Sequence, residues 1–167
     1  MMYSAHRFRN PEERNFQVMN PNSKTHLDPP RLNILIVEDN LAHQRITEYV
    51  LKKNKVNANV IVVHDGQEAL DYLFRQRSYS ECASSPRPHL ILLDLNLPKR
   101  DGREVLKMIR EDASLRQIPV VIVSTSDREE DVTYAFQSGA VAYISKSSGF
   151  DTFNEQLGGV WKYARTD

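Results

Sequence analysis

The sequence predicts an α/β fold, a five-stranded parallel sheet with helices packed on both faces. Short, continuous apolar runs recur along the chain, the pattern of strands buried on both sides rather than one. Stretches with helical spacing separate these runs, and strands that alternate with helices join in parallel through right-handed crossovers. No apolar stretch approaches the roughly 20 residues of a membrane helix. Lys plus Arg and Asp plus Glu each total 22 of the 167 residues, so the formal net charge is zero and nothing recommends a nucleic-acid partner. Cys82 is the single cysteine, which excludes an internal disulfide, and the N-terminus lacks the apolar core of a signal peptide. A soluble, cytoplasmic protein is expected.

Residues 1–30 are polar, lack periodicity and end in "HLDPP", so they read as an N-terminal extension, flexible or loosely docked, ahead of a domain spanning 31–167. Tyr3, Phe8, Phe16 and Val18 are the side chains such an arm could bury. From Leu32 the pattern becomes regular. "LNILIV" is the first strand, followed by "EDN" and a helix in which Ala42, Ile46 and Val50 fall four apart. "NVIVV" is the second strand, and the turn signal Asp65-Gly66 opens a helix that turns Ala69, Leu70, Leu73 and Phe74 to one side. A polar loop, "SYSECASSPRP", leads to the third strand in "HLILLDLNLPKRDG". Then come a helix near 101–112 with Val105, Leu106 and Ile109 inward, the strand "PVVIV", and a helix near 128–137. "VAYI" and a last helix from about 150, with Phe153, Leu157, Val160 and Trp161 inward, complete the chain.

In a parallel sheet all strand C-termini lie along one edge, and ligands bind there where the winding reverses. The first strand ends in Glu38-Asp39, the third in Asp94, the fourth in Ser124-Thr125-Ser126 and the fifth in Ser145-Lys146. In the flavodoxin-like order 2-1-3-4-5 the first and third strands are neighbours, which gathers three carboxylates at one point. Any one of them alone could be a turn or cap residue, and Asp39 or Asn40 suits the N-cap of the first helix. Three together repel one another, and a hard cation such as Mg²⁺ resolves that conflict. A lysine there is either their counter-ion or, with the Ser124 hydroxyl, part of a clamp on a phosphoryl group. Asp94 is then the attacking carboxylate, forming an aspartyl phosphate.

With these residues in place the sequence resembles the receiver domain of two-component response regulators. The pieces are "VEDN" after the first strand, "LLDLNLPKRDG" around Asp94, "VSTSD" after the fourth and "GAVAYISK" through Lys146. The resemblance implies that Asp94 accepts a phosphoryl group from a histidine kinase. It implies Mg²⁺ on Asp39, Asp94 and the backbone carbonyl of Asn96, with Glu38 helping through water. It implies that Ser124 is the switch hydroxyl and Tyr143 the aromatic switch. Two positions depart from the family pattern. Ser147 follows the lysine where a proline preceded by a cis bond is usual, and Thr125 stands where the family has a small residue.

The loop before the third strand and the Lys-Ser pair are similar to the small response regulators that partner cyanobacterial and bacterial phytochrome kinases. With the chain ending at Asp167, the output is expected to be a surface on helix four, strand five and helix five. A homodimer there would use Phe136, Tyr143, Phe150 and Trp161. Mg-dependent self-phosphorylation and slow aspartyl-phosphate hydrolysis are expected, without metabolic turnover. The alternatives are a receiver-like module binding a flavin phosphate, whose phosphate loop Glu38-Asp39 would repel, and a metabolite phosphatase, which needs an acid/base where Asn96 stands.

Overall fold

Five parallel strands in the order β2-β1-β3-β4-β5 form the sheet of this computed structural model, which describes residues 31–81, 83 and 85–165. They are β1 (Leu32–Val37), β2 (Ala58–Val63), β3 (Leu90–Leu93), β4 (Val120–Ser124) and β5 (Ala142–Ser145). Between and after them run α1 (Leu41–Lys53), α2 (Gly66–Leu73), α3 (Gly102–Glu111), α4 (Glu129–Gln137) and α5 (Phe150–Gly158). The predicted fold class, strand order and element sequence are all observed. The 1–30 extension, with Tyr3, Phe8, Phe16 and Val18, and Cys82 lie outside the described residues.

The two faces of the sheet follow from the period of two along each strand. Leu35, Val37, Ile91, Leu93, Val120 and Ile122 face α2, α3 and α4, where Leu70, Leu73, Val105, Leu106 and Ile109 meet them. Ile34, Ile36, Leu90, Leu92, Val121, Val123 and Ile144 face α1 and α5, packing on Val50, Leu51, Phe153 and Leu157. Each of these fully buried aliphatic side chains contributes on the order of 1.5–3 kcal/mol by leaving water. β3 lies at the centre, with all four of its residues buried. That explains why it reads as an unbroken apolar run.

Two helices differ from the sequence reading. In α1 the buried residues are Thr47, Val50 and Leu51, while Ala42 and Ile46 are exposed. α1 starts at the C-terminal edge of the sheet, so its first two turns stand over the strand ends rather than over the apolar face. Its last turns do cover the sheet. In α5 the regular helix stops at the Gly158-Gly159 pair and a 3₁₀ turn, Val160–Tyr163, follows. Glycine is the poorest helix former after proline, and the tighter winding changes the phase. Val160 is still buried, but Trp161 is 57% exposed. No helix among the described residues is long and apolar enough to cross a membrane.

Candidate functional site

The alternation that builds the core also sorts the residues at the strand ends. Glu38 continues the row Ile34-Ile36, Asp94 the row Leu90-Leu92, and Lys146 follows Ile144, so all three emerge on the α1/α5 side. Ser124 continues the opposite row through Ile122 and emerges on the α4 side with Tyr143. Register supports this placement: Val37 pairs with both Val63 and Leu93, and Ser124 with Ser145. Carboxylates from β1 and β3 are therefore brought side by side by backbone pairing alone.

At the centre is the Lys146 ammonium. It donates to Asp94 Oδ2 at 2.6 Å and to Glu38 Oε2, and it lies 3.3 Å from His43 Nδ1. The side chains of Lys146, Glu38 and Asp94 are only 6%, 4% and 6% exposed. Such buried charges are tolerable because they are paired. Asp94 Oδ1 accepts the Asn96 N–H at 3.1 Å, and Glu38 Oε1 accepts the Asn40 N–H at 3.0 Å. Asn40, not Asp39, caps α1: its Oδ1 accepts from the N–H groups of Ala42 and His43 at 2.9 and 3.1 Å. Asp39 is left exposed, and one oxygen each of Glu38, Asp39 and Asp94 lie within 4.8 Å of one another.

This donor set fits a hard divalent cation. Among the described residues, three carboxylates face one ammonium, so negative charge is in excess, and a cationic group already sits on two of the three. All the donors are oxygen, as Mg²⁺ and Mn²⁺ prefer.

Behind the site, Gly102 is pressed against the backbone that carries Asp94. A Cβ on Gly102 would lie 2.0 Å from the Asp94 carbonyl oxygen, and its N–H donates to the Leu95 carbonyl at 2.8 Å. Asp101 caps α3 in a reciprocal capping box with Glu104, which fixes where that helix starts. The turn after β3 is thus closed tightly enough to hold Asp94 at the edge.

Ser124 is completely buried, and its Oγ accepts the Ser126 N–H at 3.2 Å. The Tyr143 hydroxyl donates to the Ser126 carbonyl at 2.7 Å. Burial pushes the Tyr143 pKa up, with hydrogen bonds from Ser124 and Ser126 acting against it. The Ser126 hydroxyl donates to Asp131 Oδ2 at 2.5 Å, and Arg103 bridges Asp131 to Asp101. These contacts hold the Asp131 carboxyl below the usual carboxylate range, the Ser126 hydroxyl first and Arg103 second. Across the gap, the Ser147 hydroxyl donates to the Thr125 carbonyl at 3.1 Å. Thr125 is exposed, and no cis peptide occurs among the described residues, so the Lys146–Ser147 bond is trans.

Every residue predicted for the site lies at this edge, in two adjoining groups. Sequence reasoning missed His43, Gly102 and the Ser126–Asp131–Arg103 group. For Ser126 the signal was present in the run Ser124-Thr125-Ser126; for Arg103 and Asp131 only the fold brings the partners together. The flavin-phosphate alternative is not favoured, since buried carboxylates stand where it needs N–H donors.

A family model described as "Response regulator receiver domain" matches residues 34–157. The response regulator Rcp1 of Synechocystis sp. is 41% identical over 133 residues, covering 80% of this chain and 88% of the relative. Among solved structures, the Mn²⁺-bound form of Rcp1 superposes with a TM-score of 0.72 at 39% identity, over 81% of this chain and 96% of that one. The phosphorylated cyanobacterial phytochrome response regulator RcpA gives a TM-score of 0.72 at 40% identity, over 81% and 94%.

Proposed function

The chain belongs to the response regulator receiver family, and from that premise we propose that it takes a phosphoryl group onto Asp94 from a phytochrome-type histidine kinase. The observation that carries this reading is the Lys146 ammonium bridging Asp94 and Glu38 beside Asp39. The phytochrome link rests on the likeness to Rcp1 and RcpA.

In the reaction, an Asp94 oxygen attacks the phosphorus of a phosphohistidine. The new P–O bond forms as the P–N bond breaks, and the departing imidazole nitrogen keeps the electron pair. Glu38, Asp39, Asp94 and the Asn96 carbonyl would hold Mg²⁺, which would supply positive charge to offset that of the carboxylates and the phosphoryl group. Lys146 follows one of those oxygens while keeping its place next to Asp94. The buried Ser124 hydroxyl binds another, giving up the Ser126 N–H to do so. The loop whose Ser126 carbonyl holds the Tyr143 hydroxyl is thereby released, and the surface of α4, β5 and α5 changes with it.

That surface is the output in this reading, and a second copy is its partner. Phe136 and Trp161 are 50% and 57% exposed there, and Phe150 is 47% exposed, although its ring faces Tyr49 of α1 at 6.4 Å. Tyr143 is partly buried and contributes through its movement.

The test is phosphotransfer profiling against histidine kinases, with a phytochrome kinase present in both light states, together with labelling by acetyl phosphate and Mg²⁺. Transfer from the phytochrome kinase faster than from unrelated kinases is expected. Equal rates from all kinases would remove the phytochrome assignment, and no labelling from any donor would remove the phosphoacceptor itself.

A further inference from the structure

An ammonium group has three protons to donate and no lone pair. Lys146 is nearly dry at 6% exposure, so each proton needs a protein acceptor or costs desolvation. Two go to Glu38 Oε2 and Asp94 Oδ2. The atom in reach of the third is His43 Nδ1, at 3.3 Å.

We propose that His43 is a positioning residue for Lys146: its Nδ1 lone pair takes the third ammonium proton and keeps the charge aimed at Asp94 while the carboxylate contacts change. This extends the proposed chemistry at Asp94 and rests on it. The role fixes the tautomer of His43, with Nδ1 bare and the proton on Nε2. The other geometric option is a protonated Nδ1 donating to Glu38 Oε1, but that separation is 3.6 Å, too long for a hydrogen bond, and the oxygen already accepts from Asn40. A proton on Nδ1 would also point at an ammonium nearer than the carboxylate.

The position of His43 in the fold explains why it matters. It sits in the first turn of α1, whose start is set by the Asn40 cap, and so projects over the strand ends. Lys146 emerges on the same side of the sheet, from just past the end of β5. His43 is then the only link from α1 to the Lys146 ammonium among the described hydrogen bonds. When phosphoryl transfer draws Asp94 and Glu38 into new contacts, two of the three acceptors of Lys146 are altered. The imidazole nitrogen is the acceptor that takes no part in the transfer.

His43 also lines a cavity of about 170 Å³ with Ile46, Thr47, Phe150 and Phe153. A leucine therefore fits at this position, which allows the acceptor to be removed without leaving a hole. Asparagine replaces Nδ1 with a carbonyl oxygen at nearly the same distance from the backbone.

Three measurements on the full chain decide the matter. In mildly alkaline buffer, the imidazole ¹⁵N signals of the unphosphorylated protein should show His43 as the Nε2–H tautomer, and the Nδ1–H tautomer would overturn the proposal. His43→Leu should lower the maximal rate of phosphorylation by acetyl phosphate at saturating Mg²⁺ about tenfold, the usual scale for a lost hydrogen bond to a charged group. His43→Asn should recover most of that loss. A purely structural role would shift the melting temperature of both variants and give no such rescue. An unchanged rate in His43→Leu, or equal losses in both variants, would also overturn it. If the wild-type chain takes no phosphoryl group at all, the reading of Asp94 fails, while the tautomer still tells whether His43 accepts from Lys146.

Discussion

At the C-terminal edge of the sheet stand two clusters of charge, one on each face, and they are balanced differently. On the α1/α5 side, among the described residues, Glu38 and Asp94 share the ammonium of Lys146, and Asp39 stands beside them. On the α4 side, Asp101 and Asp131 are matched by Arg103, with Arg128 also 3.3 Å from Asp131. The first cluster carries negative charge that no group among the described residues answers, which is what a cation site requires. In the second, each carboxylate already has a guanidinium partner, so it can serve only to hold the loop after β4. Tyr143 is tied to that loop through the Ser126 carbonyl, and Ser124 lies between the two clusters. A phosphoryl group arriving in the unbalanced cluster can thus disturb the balanced one through a single hydroxyl.

The contrast predicts a difference in metal response. Lys146→Met removes the ammonium that pairs Glu38 with Asp94 and should cost about 3 kcal/mol in urea unfolding without metal, the scale for orphaning a buried ion-pair partner. Mg²⁺ should restore more stability to this variant than to the wild type, because it binds the folded state alone. Equal Mg²⁺ effects in the two proteins would show that the two clusters do not differ in this way. Gly102→Ala should come next, at about 2 kcal/mol, since its Cβ would collide with the Asp94 carbonyl. Its acetyl phosphate labelling should slow as well, whereas a loss confined to stability would separate Gly102 from the site.

Asp131→Asn should cost about 1 kcal/mol at neutral pH, with no dependence on Mg²⁺. The sign with pH follows from the lowered Asp131 pKa. Its contribution is full above the unfolded carboxylate value of about 3.9 and is lost as pH falls through the lower folded value. Wild-type and variant stability curves measured in urea should therefore converge in acid, and parallel curves would contradict the assignment. Phe136→Ser should change monomer stability by no more than about 0.5 kcal/mol, because the ring is half exposed. It should weaken self-association of the phosphorylated protein in sedimentation runs, and unchanged association would remove Phe136 from the output surface.

Most of the fold was legible because its three inner strands are largely buried on both faces and its turns carry explicit signals. Asp65-Gly66 is an example: Asp65 does cap α2, accepting the Glu68 N–H at 2.7 Å. The parity that divides the two clusters was also readable, since Glu38, Asp94 and Lys146 each continue an apolar row of fixed phase. What escaped the sequence depends on where a helix sits above the sheet. Ile46 has core spacing with Val50 but stands beyond the strand ends, and Trp161 keeps helical spacing with Leu157 across a glycine pair that ends the helix. His43 and the Arg103–Asp131 bridge join elements distant in sequence, and no local pattern announces them. The choice between Asp39 and Asn40 as the α1 cap was open in sequence and is settled by the Asn40 hydrogen bonds.

In the proposed function, the carboxylate excess on the α1/α5 side serves to place a phosphoryl group on Asp94. The most direct measurement is intact-mass analysis after acetyl phosphate and Mg²⁺, on wild type and Asp94→Asn in parallel. One phosphoryl group per chain in the wild type, dependent on Mg²⁺ and absent from the variant, is the predicted result. A phosphoryl group retained by Asp94→Asn, or one acquired by the wild type with the metal chelated, would contradict it.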